Sequence, residues 1–169
     1  LNVDTKIFAR ILAERLLDVI AKNICREQLA FVKGRNITEG NRLIDYAINH
    51  MEQTKQKGLV VAIDLEKAFN TVDHAYLTLV LAANNLSPEF IRMFRILYKD
   101  AESAVINNGK MTKYYPLERS CRQGDPLSPY LFILAIDPLI RKIKNSKNIH
   151  GIQGPEEEIK ISAYADDLT

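Results

Sequence analysis

The hydrophobic and polar positions of this chain alternate between helical spacing and short extended runs. Over residues 4–24, Ile7, Phe8, Ile11, Leu12, Leu16, Val19 and Ile20 recur on one helical face, with Asp4 as the candidate cap. A second helix is predicted over 37–56, turning Ile37, Leu43, Ile44, Ala47, Ile48 and Met51 inward. Gly58 then breaks the pattern. The uninterrupted apolar run Leu59-Val60-Val61-Ala62-Ile63, ending at Asp64, reads as a buried strand. Helical character returns from 73 to 85. Ser87-Pro88-Glu89 is a strong helix start: a capping hydroxyl, proline in the first turn, then an acid near the positive end of the dipole. The helix it opens runs to about 99 and buries Phe90, Ile91, Phe94 and Leu97. Asn108-Gly109, flanked by extended segments 104–107 and 111–117, signals a tight hairpin. Residues 126–144 predict a further helix, apolar at Leu131, Phe132, Leu134, Ala135, Leu139 and Ile143, and 159–163 a last strand ending at Tyr164. Helices mixed with a few strands, without repeats or linkers, predict a single α+β domain.

Composition changes this picture little. The 169 residues suffice for one cored domain, and 47% hydrophobic with 26% charged residues is ordinary for a globular protein. A net charge of +2 is too mild to require a nucleic-acid partner. The basic residues are nevertheless uneven: Lys33, Arg35 and Arg42 lie close in sequence, as do Arg141, Lys142, Lys144 and Lys147, while Glu156 to Glu158 form an acidic patch. A solvated face explains such clusters equally well. Cys25 and Cys121 have no metal-site or disulfide spacing, as expected in a reducing compartment. No stretch approaches the roughly 20 apolar residues of a membrane span, and no signal peptide is visible. Because the chain starts at Leu1 and ends beside Asp166 and Asp167, it reads as a piece of a longer protein.

Three segments carry candidate chemistry. In Ile63-Asp64-Leu65-Glu66-Lys67-Ala68-Phe69 a strand ends in an acid and the chain turns back. In Arg122-Gln123-Gly124-Asp125-Pro126-Leu127-Ser128-Pro129 an amide and a flexible glycine precede a helix. In Tyr164-Ala165-Asp166-Asp167 two carboxylates follow a strand. Each has a plain structural reading: a helix cap, a helix-entry loop, an Asp-rich turn. Two strands delivering carboxylates at one edge also form a site for hard divalent cations, which take oxygen ligands and leave room for water and phosphates. Paired ions about 3.5–4 Å apart are the usual apparatus of polymerases and nucleases. The histidines, His50, His74 and His150, lie outside these segments, and His74 reads as a turn residue rather than a general base.

In this order and spacing the segments resemble the sequence blocks of reverse transcriptases. Among these they are most similar to the non-LTR retrotransposon (long interspersed element) type, which Leu1-Asn2-Val3-Asp4-Thr5-Lys6-Ile7 and Gln28-Leu29-Ala30-Phe31-Val32-Lys33-Gly34-Arg35 also resemble. The likeness spans essentially the whole chain. It implies a right-hand polymerase fingers–palm unit truncated before the thumb, fingers-like at 1–57 and 75–120 and palm-like at 58–74 and 121–169. It implies that Asp64, Asp166 and Asp167 are catalytic metal ligands, joined by the Leu65 carbonyl, for two Mg²⁺ ions with Mn²⁺ able to substitute. Phe69 matches the steric gate against a ribose 2′-hydroxyl, Gln123 and Gly124 the loop over the incoming nucleotide, and Arg35 a nucleic-acid contact. The implied partners are an RNA template, a DNA primer, deoxynucleoside triphosphates and flanking parts of the same polyprotein. The implied setting is a retrotransposon ribonucleoprotein in nucleus and cytoplasm. Two departures stand out: Asn70 replaces the family's usual acid after the gate, and Asp125 stands where a cysteine or small residue is common, adding negative charge beside the nucleotide loop. A family fingers strand, a thumb and an endonuclease domain are absent from this sequence, so the piece alone is expected to be inactive. Two other readings remain open, a catalytically inactive nucleic-acid-binding remnant and an intron maturase.

Overall fold

The structure is a computed structural model and describes residues 2–154 and 158–169. Leu1, Glu156 and Glu157, to which readings above refer, lie outside the described residues. Helix α1 (Val3–Asn23) is capped by Asn2, not Asp4: the Asn2 side-chain oxygen accepts from the Thr5 N–H at 2.8 Å. Its buried face is Ala9, Leu12, Ala13, Leu16 and Ile20, rotated from the expected one. Ile7 and Ile11 are exposed. Two alanines on the inner face allow close approach by neighbouring helices, which bulkier residues would prevent. Helix α2 (Ile37–Thr54) follows, capped by Asn36, with only Gly40 and Ala47 fully buried, so Ile37 and Ile48 are not the inward anchors their spacing suggested.

A one-turn helix α3 (Ala68–Thr71) leads into α4 (His74–Ala83), capped by Asp73, and α5 (Pro88–Tyr98), capped by the Ser87 hydroxyl as expected. Phe90, Phe94, Leu97 and Tyr98 of α5 are buried, while Ile91 is only partly so. The Asn108-Gly109 hairpin forms as read: β2 (Ile106–Asn107) pairs with β3 (Lys110–Met111), and both turn residues have positive φ. The ribbon continues where β1 (Glu102–Ser103) pairs with β4 (Tyr115–Pro116).

Helix α6 (Ser128–Lys144) forms the centre. Leu131 to Ile136 are buried in succession, the pattern of a helix covered on all sides. It packs on α1 and α4, and both of these pack on α5. Leu139, expected inside, is exposed. The end of α1 is tied to α6 through buried Asp137, whose carboxylate accepts from the Cys25 N–H at 2.8 Å and from the Arg141 guanidinium.

Two strand expectations are corrected. Residues 159–163 are not one strand: β6 (Glu158–Ile159) pairs with β5 (Ile152–Gln153), and the chain then passes to β7 (Ala163–Tyr164), which pairs with β8 (Asp167–Leu168). The run from Leu59 to Ile63 is not a buried strand either; Leu59 is 89% exposed, and among the described residues only Ile63 pairs, with Leu168. In that antiparallel register Leu59 to Val61 fall opposite positions beyond Thr169, and among the described residues they meet no ladder partner. An α+β mixture nevertheless stands, with helices dominating.

Replacing fully buried Leu16 by alanine is expected to lower stability by about 3 kcal/mol, through lost transfer energy and an unfilled cavity in the core. The shift in denaturant midpoint, at unchanged slope, is the measurement.

Candidate functional site

Main-chain pairing gathers the carboxylates. Leu168 of β8 exchanges two hydrogen bonds with Ile63, at 2.8 and 3.0 Å. On the far side of the hairpin, Ala163 donates to the Glu27 carbonyl and accepts from the Leu29 N–H, at 2.9 and 2.8 Å. Ser162 and Thr169 exchange a further pair. The Ile63–Leu168 register sets Asp64 opposite Asp167, while Asp166 occupies the two-residue turn between Tyr164 and Asp167. Asp64 and Asp167 are exposed and Asp166 is half-buried. Among the described residues none of their side chains has a hydrogen bond or ion pair. Like charges facing one another across strands repel, so this edge favours a cation.

The turn after Asp64 is closed by the Ala68 N–H donating to the Leu65 carbonyl at 3.2 Å, with Lys67 in the left-handed region at φ 51°. This sets the Phe69 ring nearly parallel to Phe132 of α6, with centroids 4.3 Å apart. The Phe69 carbonyl also accepts from the Cys121 N–H at 2.7 Å. The gate candidate is thereby fixed to the central helix by its ring and to the Gln-Gly loop by its backbone. Asn70 is exposed beside it. His74 serves the same junction: its Nε2–H donates to the Ser120 carbonyl at 2.9 Å and its ring lies edge-on to Tyr98. That is a structural role, as read from the sequence.

Gln123 and Gly124 are exposed on the loop that follows, and Gly124 has φ 74°, which a side chain would strain. Asp125 corrects an expectation. It is 3% exposed, turned beneath the loop, with one carboxylate oxygen accepting from the Leu127 N–H at 2.9 Å to start α6. Its other oxygen is buried without a partner. Burial raises its pKa, against the lowering effects of the Leu127 N–H and of Arg122. The Asp125 carboxyl is thus turned under the Gln-Gly loop rather than out over it. Burial likewise pushes the Cys121 thiol up to about 12, and burial together with Asp137 pushes Cys25 to about 12, so neither presents a thiolate nucleophile.

Arg35 is built into the fold. Its guanidinium donates to the carbonyls of Ile24, Cys25 and Gln28, closing the segment that leaves α1. Those three hydrogen bonds hold the fold together there. Sequence reasoning missed Gln28 as an individual residue. It is completely buried and hydrogen-bonded to both peptide groups of Ala165. Its presence in the Gln28-to-Arg35 block was the available signal; spacing alone gave no reason to bury it.

Among the described residues no three His, Cys, Asp or Glu side chains converge closely enough to enclose an ion. The donor set is still of the right kind for Mg²⁺: unpartnered carboxylates at an open edge, with water and phosphate completing the shell.

The family described as "Reverse transcriptase (RNA-dependent DNA polymerase)" matches residues 1–169. The chain is 34% identical to the "Transposon TX1 uncharacterized 149 kDa protein" of Xenopus laevis, over 99% of this chain and 13% of that protein. It is 29% identical to the "Retrovirus-related Pol polyprotein from type-1 retrotransposable element R2" of Popillia japonica, over 96% of this chain and 23% of that one. A Drosophila melanogaster type-2 element, R2DM, has a Pol polyprotein 27% identical over 94% of this chain and 14% of its own length. The chain thus spans between 13% and 23% of these relatives.

Asp125 supplies a pH test. An acid whose pKa is raised on folding holds its proton more tightly in the folded state. Stability is therefore lost as pH rises from near the ordinary 3.8 through the raised value. The side-chain amide of the Asp125→Asn variant keeps the acceptor for Leu127 but cannot ionise. Thermal midpoints between pH 4 and 7 should move in the variant's favour as pH rises; a pH-independent difference would contradict the burial argument.

Proposed function

The chain belongs to the reverse transcriptase (RNA-dependent DNA polymerase) family, and we propose that it is the fingers–palm portion of an RNA-directed DNA polymerase from a non-LTR retrotransposon. The observation carrying this reading is the junction at Leu168 and Ala163, where remote segments place Asp64, Asp166 and Asp167 at one edge. In this reading the palm is 58–74 with 121–169, and the fingers are 1–57 with 75–120.

Asp64, Asp166 and Asp167, with the remaining lone pair of the Leu65 carbonyl, would hold two Mg²⁺ ions, or Mn²⁺ in their place. When bound, such ions lower the pKa of the primer 3′-hydroxyl and neutralise charge on the leaving pyrophosphate. The protein's own contribution is placement. The carboxylates arrive on paired backbone and carry no competing hydrogen bonds among the described residues. Phe69, backed by Phe132, offers a rigid wall against the sugar, where a 2′-hydroxyl would clash. Gln123 and Gly124 stand exposed on a loop tied to Phe69 through Cys121, so the base-side and sugar-side contacts move as one unit. No buried nucleophile or proton relay is needed, because phosphoryl transfer is governed by positioning and charge. The substrates are then an RNA template, a DNA primer and deoxynucleoside triphosphates, and the flanking polyprotein completes the clamp on them.

Primer extension on an RNA template with Mg²⁺ tests this, using the longest natural polypeptide containing the chain. The polypeptide should extend and its Asp166→Asn variant should be about 10³-fold slower or worse, the loss of several kcal/mol of charge stabilisation. The 169-residue piece alone should not extend. Binding of primer–template without extension by the intact polypeptide would instead identify an inactive remnant.

The gate reading makes a separate prediction. Phe69→Val should reduce discrimination against ribonucleotides by about tenfold or more, with deoxynucleotide incorporation largely kept. Unchanged discrimination in single-nucleotide incorporation would remove Phe69 from that role.

A further inference from the structure

We propose that Gln28 is the positioning residue for the Asp166 turn. The inference rests on the polymerase reading for its functional consequence, but its geometry stands apart from it. Gln28 is 0% exposed, and its side chain makes three hydrogen bonds. Oε1 accepts from the Ala165 N–H at 2.9 Å and from the Ala30 N–H at 3.0 Å; the Nε2 amide donates to the Ala165 carbonyl at 3.1 Å. Flipping the amide would set an NH₂ group against two N–H donors, so the pattern fixes its orientation.

The residue so gripped is an unusual one. Ala165 is the first residue of the two-residue turn between Tyr164 and Asp167, and its φ is 57°. Asp166 is not among the positive-φ residues. A hairpin turn with only its first central residue at positive φ normally uses glycine there. Alanine holds this conformation only where its surroundings over-determine it. Gln28 does so by binding both peptide groups of Ala165, including the carbonyl that leads directly into Asp166. Fixing that peptide plane fixes the direction in which the Asp166 side chain leaves the backbone.

Gln28 is itself anchored. It bridges Ala163 in parallel, and its own carbonyl accepts from Arg35 at 2.6 Å. The block from Gln28 to Arg35 is in this view a brace beneath the carboxylate turn. An unbonded Gln28 would leave the Ala165 N–H buried without a partner, so the turn would relax toward other conformers and carry Asp166 with it.

Two variants in the full polypeptide test this. Gln28→Met keeps the volume and removes all three bonds; Gln28→Glu keeps the acceptor and loses the donor when ionised. Hydrogen exchange read by mass spectrometry should show protection of the peptide containing Tyr164 to Asp167 falling about tenfold or more in Gln28→Met, with peptides from α6 unchanged. In primer extension normalised to active sites, kcat should fall at least about tenfold in Gln28→Met. It should fall less in Gln28→Glu, with partial recovery as pH is lowered and the carboxyl regains a proton to donate. KM for the nucleotide and primer–template affinity should stay within about twofold in both. If α6 peptides also lose protection in Gln28→Met, that variant has unfolded and the Gln28→Glu data decide. Unchanged exchange at 164–167 overturns the brace. A normal kcat in a folded Gln28 variant, beside an inactive Asp166→Asn control, overturns its effect on Asp166. A parent polypeptide that does not extend refutes the polymerase reading, while the exchange data still judge the brace.

Discussion

The site depends on the pairing of buried backbone at one two-stranded hairpin. Ala163 and Leu168 face one another, and each also bonds outward, Ala163 to the segment after α1 and Leu168 to Ile63. Buried N–H and C=O groups must find partners, and here the partners come from segments remote in sequence. Side-chain contacts could tolerate drift; a ladder register cannot slip without reversing every side chain. That is why Asp64 and Asp167 arrive opposite one another although helices α4, α5 and α6 intervene in sequence. The helical body serves this arrangement through a few fixed points: Phe132 beneath Phe69, Asp137 on Cys25, and the Phe69 carbonyl on Cys121.

Charge in the molecule divides into two populations. Asp137, Arg141 and Arg35 are occupied, binding each other or main-chain groups at the end of α1. Asp64, Asp166 and Asp167 are left without partners among the described residues, and two of them face each other. Facing like charges cost roughly 0.2–1 kcal/mol in a sheet, a small destabilisation that a structural role would not require. Proteins tolerate such local costs where function needs them. Asp125 belongs to neither population: burial favours its neutral form, and the structure uses it to start α6.

What was legible in the sequence was local. The Ser87 cap and the Asn108-Gly109 turn are written in a few adjacent residues, and the structure follows them, whereas α2 ends at Thr54 through left-handed Lys55 before Gly58 is reached. The three carboxylates are marked by chemistry and family likeness, and main-chain pairing brings their segments to one edge. What depended on distant partners was not. The apolar run before Asp64 has the composition of a buried strand, but a strand requires a neighbour, and only Ile63 has one. Arg35 reads as a basic surface residue until the segment leaving α1 curls around it. Nothing adjacent to Gln28 signals its burial, because its partner Ala165 lies 137 positions later. On α1 the spacing of the large apolar residues points to one face, whereas the small residues Ala9 and Ala13 lie on the face that is buried.

Each of the three segments that build the site turns through one left-handed residue: Lys67 at φ 51°, Gly124 at 74° and Ala165 at 57°. The fold thus reverses direction sharply at each point where it must present a group to the same edge. Glycine does this without steric cost, and Gly124 has no neighbour within 4 Å of the position a Cβ would occupy. The other two carry a Cβ, at a cost of about 1–2 kcal/mol each, and each is held by the hydrogen bonds around it. The Lys67 carbonyl accepts from the Asn70 and Thr71 N–H groups of α3, and Ala165 is bound on both sides by Gln28. A loop free to choose would relax at both. Where the exposed Gln-Gly loop uses a permissive residue, the two carboxylate-bearing turns use constrained ones, so the loop's conformation rests on the residue itself and that of the turns on the hydrogen bonds around them.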